Sequence, residues 1–398
     1  MSKVCIVRHN YYPDEPRVRR DAESLIEHGY EVDVICLRKK GQKKRECINN
    51  VNVYRLAMEH HRKGIMRYIY EYSVFTAMVS CLIGWLFLRR RYRVIEVVSM
   101  PEFLILATLF PKLLGTRVIL HIFDFTSVTF AQAFKVSRNH VIAKLLTVIS
   151  KLCYTLADHI IVCEYLGQEL LWTKGVRKSK ITVVLNVPDE NVFTSKSYSA
   201  NVIGQQGYFY LITHGSILER YGVQTLIRAV PLLIDNIPEL RIMVVGDGEY
   251  RPQLEELAQS LGISEYIHFT GFVPFEEIPS LINQAAIGVV SCLTPMLPNK
   301  LFEYLASGTP TVAAKTRAIS TFLDDKSVAL YEPDDEQGLA NCVLDLYRNP
   351  QKRAVLAASG LTIYKKYRWD QMKHEYLKIF KQLTAHLHAL PEGVKGDT

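Results

Sequence analysis

The sequence has no C-x-x-C pair and no Cys/His spacing that suits zinc, and its eight cysteines are scattered. This excludes a zinc module or a disulfide framework and fits free thiols in a reducing compartment. No charge-free run is clearly long enough to cross a bilayer: Tyr72 to Leu88 is the candidate, and a spanning helix needs about 20 apolar residues. No nucleic-acid motif is present, and no stacking aromatics interleave with the basic clusters, so nucleic acid is not an expected partner. The opening residues Met1–Val7 read as a strand rather than a signal peptide, which sets a cytoplasmic expectation.

What is present describes a folded, two-domain chain. It has 398 residues, 48% of them hydrophobic and 22% charged, which is too long for one ordinary core. The net charge of +8 is concentrated early, in Arg38-Lys39-Lys40, Lys43-Lys44-Arg45, Arg62, Lys63, Arg67, Arg89-Arg90-Arg91 and Arg93. Such clusters call for an anionic partner, and the apolar segment between them points to an anionic membrane surface. Tyr72–Leu88 reads as a helix packed in the protein that also dips into the bilayer interface, with Trp85 and Tyr92 near the headgroups. The alternative is an all-round apolar core helix.

Short β-rich runs alternate with helical stretches throughout. Expected strands are 3–8, 31–37, 51–56, 94–99, 117–122, 159–163 and 181–185, then 208–214, 241–245, 267–270, 288–291, 311–313 and 328–331. Expected helices include 17–28, 73–88, 140–156, 222–235, 251–261, 278–284, 300–307 and the tail 369–390. The pattern predicts two doubly wound α/β domains with parallel sheets, facing each other across a cleft. A polar stretch at 194–206 separates residues 1–200 from 201–370, and 371–398 is expected to pack back on the first domain.

Chemistry concentrates in the second half. His214-Gly215-Ser216, Gly246-Asp247-Gly248 and Thr270-Gly271-Phe272-Val273 each follow a strand. Glycine there permits a sharp turn or close approach to a ligand, although each alone also reads as a plain turn. Pro298-Asn299-Lys300-Leu301-Phe302-Glu303 opens a helix, with Lys300 and Glu303 on one face. A lysine in a first helical turn suits an anion that meets both the lysine and the helix N-terminus. A plain i,i+3 ion pair is the other reading.

These motifs together with His214–Gly222, and Tyr11–Arg20, Gly29–Val34 and Val184–Phe193 in the first half, resemble the retaining glycosyltransferases of family 4, with the GT-B fold, over roughly Lys3 to Phe380. The resemblance implies a nucleotide-diphosphate sugar donor on the second domain, an acceptor on the first, retention of configuration, no cofactor and no required metal. It implies Glu303 as the residue that binds the nucleotide ribose; the phosphate charge is assigned to Arg220 and Lys300, and these three are the expected catalytic residues. It places Gly215, Ser216, Gly246, Gly271, Phe272, Val273, Asn299 and Leu301 around the nucleotide sugar, and His121, Asp124 and Arg17 on the acceptor or donor-sugar side. Asp124 could equally cap the next helix. The sequence departs from the family at Pro295, where many relatives carry a second glutamate, and at Ser216 and Tyr221, where many carry cations. Backbone groups around 296–299 are expected to replace the missing carboxylate. The expected activity is hexosyl or N-acetylhexosaminyl transfer to a lipid-linked acceptor in surface-polysaccharide or glycolipid synthesis, at the inner face of the plasma membrane. A nucleotide-sugar 2-epimerase and a non-catalytic scaffold of the same fold are the alternatives.

Overall fold

The computed structural model describes residues 1–58, 64–134, 137, 140–188, 192–193 and 207–385. The expected linker 194–206, Arg62 and Lys63 of the basic clusters, and the tail from 386 onward lie outside these residues. Two compact units emerge: Met1–Leu185 with Met372–Thr398, and Asn186–Gln371. The division thus falls ahead of the boundary expected after residue 200.

The first unit holds β1 (Lys3–Tyr11), β2 (Glu31–Leu37), β3 (Arg45–Ile48), β4 (Val51–Leu56), β5 (Val94–Val98), β6 (Arg117–Ile122), β7 (His159–Val162) and β8 (Ile181–Val183). They form one sheet in the order β3-β4-β2-β1-β5-β6-β7-β8. All neighbours run parallel except β3, which pairs antiparallel with β4. This corrects the all-parallel expectation. Asn49 and Asn50 both adopt positive φ, 49° and 64°, the backbone of a two-residue hairpin turn, and Asn tolerates that region better than most residues.

The strands are buried on both faces, as an enclosed parallel sheet requires. On one face Cys5, Val7, Ile95, Val97 and Val118 pack against Phe75, Val79 and Ile83 of the helix Ile65–Arg90, and against Cys153 and Tyr154 of the helix Val141–Leu156. The helix Ile65–Arg90 is longer than expected, and its inner stripe is core. Tyr92 is also core: it is buried, and its hydroxyl donates to Asp33 at 2.5 Å. The expectation that Tyr92 lies at headgroups is therefore corrected. The order of strands reverses between β1 and β5, and ligands in such sheets bind beyond the carboxyl ends at that switch point.

The second unit holds β9 (Phe209–His214), β10 (Leu240–Val245), β11 (Ile267–Gly271), β12 (Ile287–Val290), β13 (Thr311–Ala314) and β14 (Ala329–Tyr331). Their order is β11-β10-β9-β12-β13-β14, all parallel, with the switch point between β9 and β12. The helices Glu336–Arg348 and Pro350–Tyr367 are not among the expected elements. Asp335 caps the first, accepting from the Gly338 N–H at 2.9 Å, and Pro350 opens the second.

Candidate active site

The loops at the switch point of the second sheet are tied to one another. The turn Glu219–Tyr221 after β9 joins the end of β12: Leu293 N–H donates to the Arg220 carbonyl at 3.1 Å, and Ser291 Oγ to the Tyr221 carbonyl at 3.2 Å. Gly222 closes that turn at φ 68°, and a Cβ there would lie 1.8 Å from the Ser291 carbonyl oxygen. Only glycine fits. The strand ends are linked on the other side as well. Gly215 N–H donates to the Val245 carbonyl, and Gly246 N–H to the Gly271 carbonyl, each at 2.9 Å. A Cβ on Gly246 would stand 2.0 Å from the Gly215 carbonyl oxygen. The three glycine-bearing strand ends read from the sequence are thus one contiguous backbone rim.

The helix Asn299–Ala306 lies over the end of β9. Tyr304, fully buried, donates its hydroxyl proton toward the Ile212 carbonyl at 3.1 Å, and its oxygen stands 3.0 Å from His214 Nδ1. His214 Nε2 in turn contacts the Glu303 carboxylate. One turn earlier, Lys300 Nζ donates to Thr213 Oγ1 at 3.2 Å. Burial pushes the Lys300 ammonium down to about 8, against the opposing pull of Cys292 and Glu303. Arg220 Cζ stands 5.1 Å from the Tyr221 ring centroid and Lys300 Nζ 5.9 Å, so both cations approach one aromatic ring. Among the described residues no carboxylate forms an ion pair with either cation, and Arg220 Nε is buried without a hydrogen-bond partner. No side chain caps the helix at Pro298, so the N–H groups of its first turn add positive potential beside Lys300.

The structure brings Gly215, Gly246, Gly271, Arg220, Lys300 and Glu303 together at this end of the sheet. Ser216 and Asn299 are exposed, and Val273 is half-buried. Phe272 is 82% exposed immediately after the rim, an open aromatic surface able to stack on a base. Leu301 is corrected: its side chain is wholly in the core, and its N–H bonds to the Pro298 carbonyl at 3.1 Å. His214, Tyr304 and Thr213 join the site without a role expected from sequence. His214 and Glu303 are 89 positions apart, so no local spacing reveals the pair, although a histidine ending a strand before glycine is a usable signal.

At the carboxyl end of the first sheet, Glu15 gathers two arginines. Arg17 Nε donates to it at 2.7 Å, and Arg8 Nη2 lies at 3.5 Å. Burial alone would raise the Glu15 carboxyl, but Arg17 and Arg8 outweigh it and hold the group at about 2. The Arg17 guanidinium sits 3.9 Å over the Phe123 ring centroid. Asp124 is half-buried nearby, and among the described contacts its carboxylate makes no hydrogen bond, so the helix-cap alternative finds no support there. His121 is corrected. It is buried, with Nδ1 2.7 Å from Glu96, whose other oxygen accepts from Tyr376 at 2.5 Å. Burial lowers His121 to about 4 and raises Glu96 to about 7 and Asp21 to about 6. Asp21, Glu96 and His121 bring ligand atoms within 4.8 Å of one another, and Glu96 is already hydrogen-bonded to both His121 and Tyr376, a core network that ties the C-terminal helix to the sheet.

Two family profiles match the chain: one described as glycosyl transferases group 1 over residues 208–349, and one described as a glycosyl transferase 4-like domain over residues 15–186. The GDP-mannose-dependent alpha-(1-6)-phosphatidylinositol monomannoside mannosyltransferase of Mycolicibacterium smegmatis is 30% identical over 36% of this chain and 40% of its own length. One component of the human phosphatidylinositol N-acetylglucosaminyltransferase is 23% identical over 86% of this chain and 69% of its own. The lipopolysaccharide core biosynthesis glycosyltransferase LpsD of Rhizobium meliloti is 29% identical over 43% and 49%. The chain therefore spans about half the length or less of two of these relatives. Among solved structures, sucrose-phosphate synthase from Thermosynechococcus elongatus superposes with a TM-score of 0.77 at 16% identity, covering 97% of this chain and 100% of that one. Anabaena HepE, solved with UDP, gives 0.72 at 16%, covering 96% and 100%. With two Rossmann-like sheets, both family profiles in sequence and the loop geometry in place, the chain belongs to the group 1 glycosyltransferases of family 4 type, with the GT-B fold.

Proposed function

We propose that this protein is a retaining glycosyltransferase that moves a hexosyl or N-acetylhexosaminyl group from a nucleotide-diphosphate sugar to a lipid-linked acceptor in glycolipid or surface-polysaccharide synthesis. The observation that carries the reading is the pair Arg220 and Lys300, free of carboxylate partners among the described residues, beside Glu303 at the switch point. A diphosphate supplies the charge these groups lack. Departure of the nucleoside diphosphate builds negative charge on its β-phosphate, and fixed donors aimed there lower the barrier. The Glu303 carboxylate accepts from the ribose diol, exchanging part of its contact with His214. The backbone of 271–273 and the exposed Phe272 meet the base. In a front-face course the bond from the anomeric carbon to phosphate breaks, the bond to the acceptor oxygen forms on the same face, and the departing phosphate takes the acceptor proton.

A lipid-borne acceptor is supported by the relatives named for phosphatidylinositol substrates and by the apolar, basic-flanked helix Ile65–Arg90, which suits the cytoplasmic surface of an anionic membrane. The chemistry needs no cofactor beyond the donor. A thermal-shift panel of nucleotide sugars tests the donor site, since a ligand that binds only the folded state raises the melting point. The expected outcome is a shift with one donor that is lost in Lys300→Ala and Glu303→Ala, together with transfer activity. Normal transfer by both variants would remove the site assignment.

A further inference from the structure

The layer of helices covering one face of the first sheet turns an apolar, acid-free surface outward, and two of its members lie outside the segment that the sequence marks as membrane-facing. In the helix Val141–Leu156, Ala143, Leu146, Ser150, Cys153 and Tyr154 are buried. The opposite side carries Val141 (78% exposed), Leu145, Val148 and Leu152. Their spacing of i, i+4, i+7 and i+11 sets them in one straight stripe. A solvated helix would carry polar residues there. Lys144 and Lys151 are also exposed, and the helix has no acidic residue at all.

The helix Ile65–Arg90 shows the same division. Tyr72, Phe75, Val79 and Ile83 are buried, while Met66, Tyr70, Ala77, Cys81, Trp85 and Leu88 face outward and bear no charge. Its single acid, Glu71, is buried. Arg89 stands 3.8 Å over the Trp85 ring. The short helix Leu109–Leu113 packs beside it, with Phe110 6.0 Å from Phe87, and exposes Leu109, Phe110 and Leu113, the last at 85%. Ile65 and Tyr68 join the helix Ile65–Arg90 to the helix Val141–Leu156 through Phe130, Ala143 and Leu146. Ile65–Arg90 and Val141–Leu156 pack on one core over one sheet face, and Leu109–Leu113 lies against Ile65–Arg90 through Phe110, so their outer stripes share one side of the unit. Exposed apolar surface of this extent marks an interaction site.

We propose that this whole layer docks on an anionic lipid bilayer, with Val141–Leu156 and Leu109–Leu113 as docking elements beside Ile65–Arg90, all lying along the surface. The occupant follows from charge: Arg89, Lys144 and Lys151 flank the apolar stripes, Arg67 and Lys112 being paired with Glu71 and Asp158, and no exposed acid lies on the three helices. Basic residues around apolar ones fit anionic headgroups over acyl chains. A spanning orientation is excluded for Ile65–Arg90, because its inner stripe is locked into the sheet core.

The proposal rests on the reading of the acceptor as membrane-borne, but its test needs no turnover. The full chain is sedimented with sucrose-loaded vesicles of phosphatidylcholine alone or mixed with phosphatidylglycerol. Binding is expected to the mixed vesicles only. The triple substitution Leu145→Glu, Val148→Glu, Leu152→Glu should weaken partitioning at least tenfold, on the order of one inserted side chain. Lys144→Gln with Lys151→Gln should weaken it about fivefold per lysine. Circular dichroism and the nucleotide-sugar melting shift should be unchanged in both. Wild-type binding retained by the triple variant overturns the proposal. So does a wild-type dimer that ignores vesicles and becomes monomeric in the triple variant, because the face would then be a self-contact. A chain that binds vesicles but no nucleotide sugar overturns the transfer reading and leaves this one standing.

Discussion

At the carboxyl end of the first sheet Arg8 and Arg17 share the carboxylate of Glu15, whereas at the second sheet Arg220 and Lys300 gather beside Tyr221 without such a partner among the described residues. Both ends are cationic by composition. In the first, Glu15 offsets one of the two charges and Arg17 sits 3.9 Å from the Phe123 ring centroid, so both guanidiniums are already engaged. In the second, the charge waits for a ligand, and burial has lowered the lysine. The switch-point rule marks both ends alike; the local ion pairing is what distinguishes them, and it underlies the proposal that the second end takes the diphosphate.

The sharpest way to break this contrast is to remove the waiting charge. Lys300→Ala should cut transfer by about 10²–10³-fold with the melting point of the unliganded protein nearly unchanged, measured by initial rates and calorimetry. Removing the neutralising acid should instead act on stability. Glu15 is held at about 2 against an ordinary 4.5, so its contribution is complete above about pH 4.5 and lost as pH falls through 2. Glu15→Gln should cost on the order of 3 kcal/mol at neutral pH and flatten the acid limb of urea-unfolding curves in that window. The affinity for a nucleoside diphosphate should depend on the protonation of Lys300. Below about pH 8 the ammonium is charged and binds; above it, the dissociation constant should rise up to tenfold per pH unit. Titration calorimetry of Lys300→Ala should show that slope gone. The smallest effect is expected at the core network of the first unit. Tyr376→Phe removes the donor to Glu96, raises that carboxyl further, and should cost about 1 kcal/mol by denaturant melts without altering donor affinity.

The alternation of buried runs was legible because parallel strands enclosed on both faces read as continuous apolar stretches, as in Val32–Leu37. The hairpin of β3 was not, since Arg45–Ile48 alternates exposed and half-buried residues and its turn uses two asparagines rather than Asn-Gly. In the second unit, the glycines at 215, 246 and 271 were readable as strand ends, and the structure shows what joins them: their backbones touch. The His214–Glu303–Tyr304 network was not readable, because tertiary packing alone brings β9 under a helix far along the chain. Leu301 failed because sequence position fixes the helix but not which side of it meets the core, and Tyr92 because it lies in the connection between the helix Ile65–Arg90 and β5, where no periodicity says which way it points.

The antiparallel β3 also has a bearing on how the protein behaves in a crowded cell. It is a four-residue margin preceded by Lys43 and Lys44 and opened by Arg45. The opposite margin, β8, has only three residues. Short, charge-studded borders give a neighbouring molecule little unpaired backbone on which to extend the sheet. Replacing the lysines of this border with valine would offer such a template, and filament growth, rather than loss of catalysis, would be the first symptom.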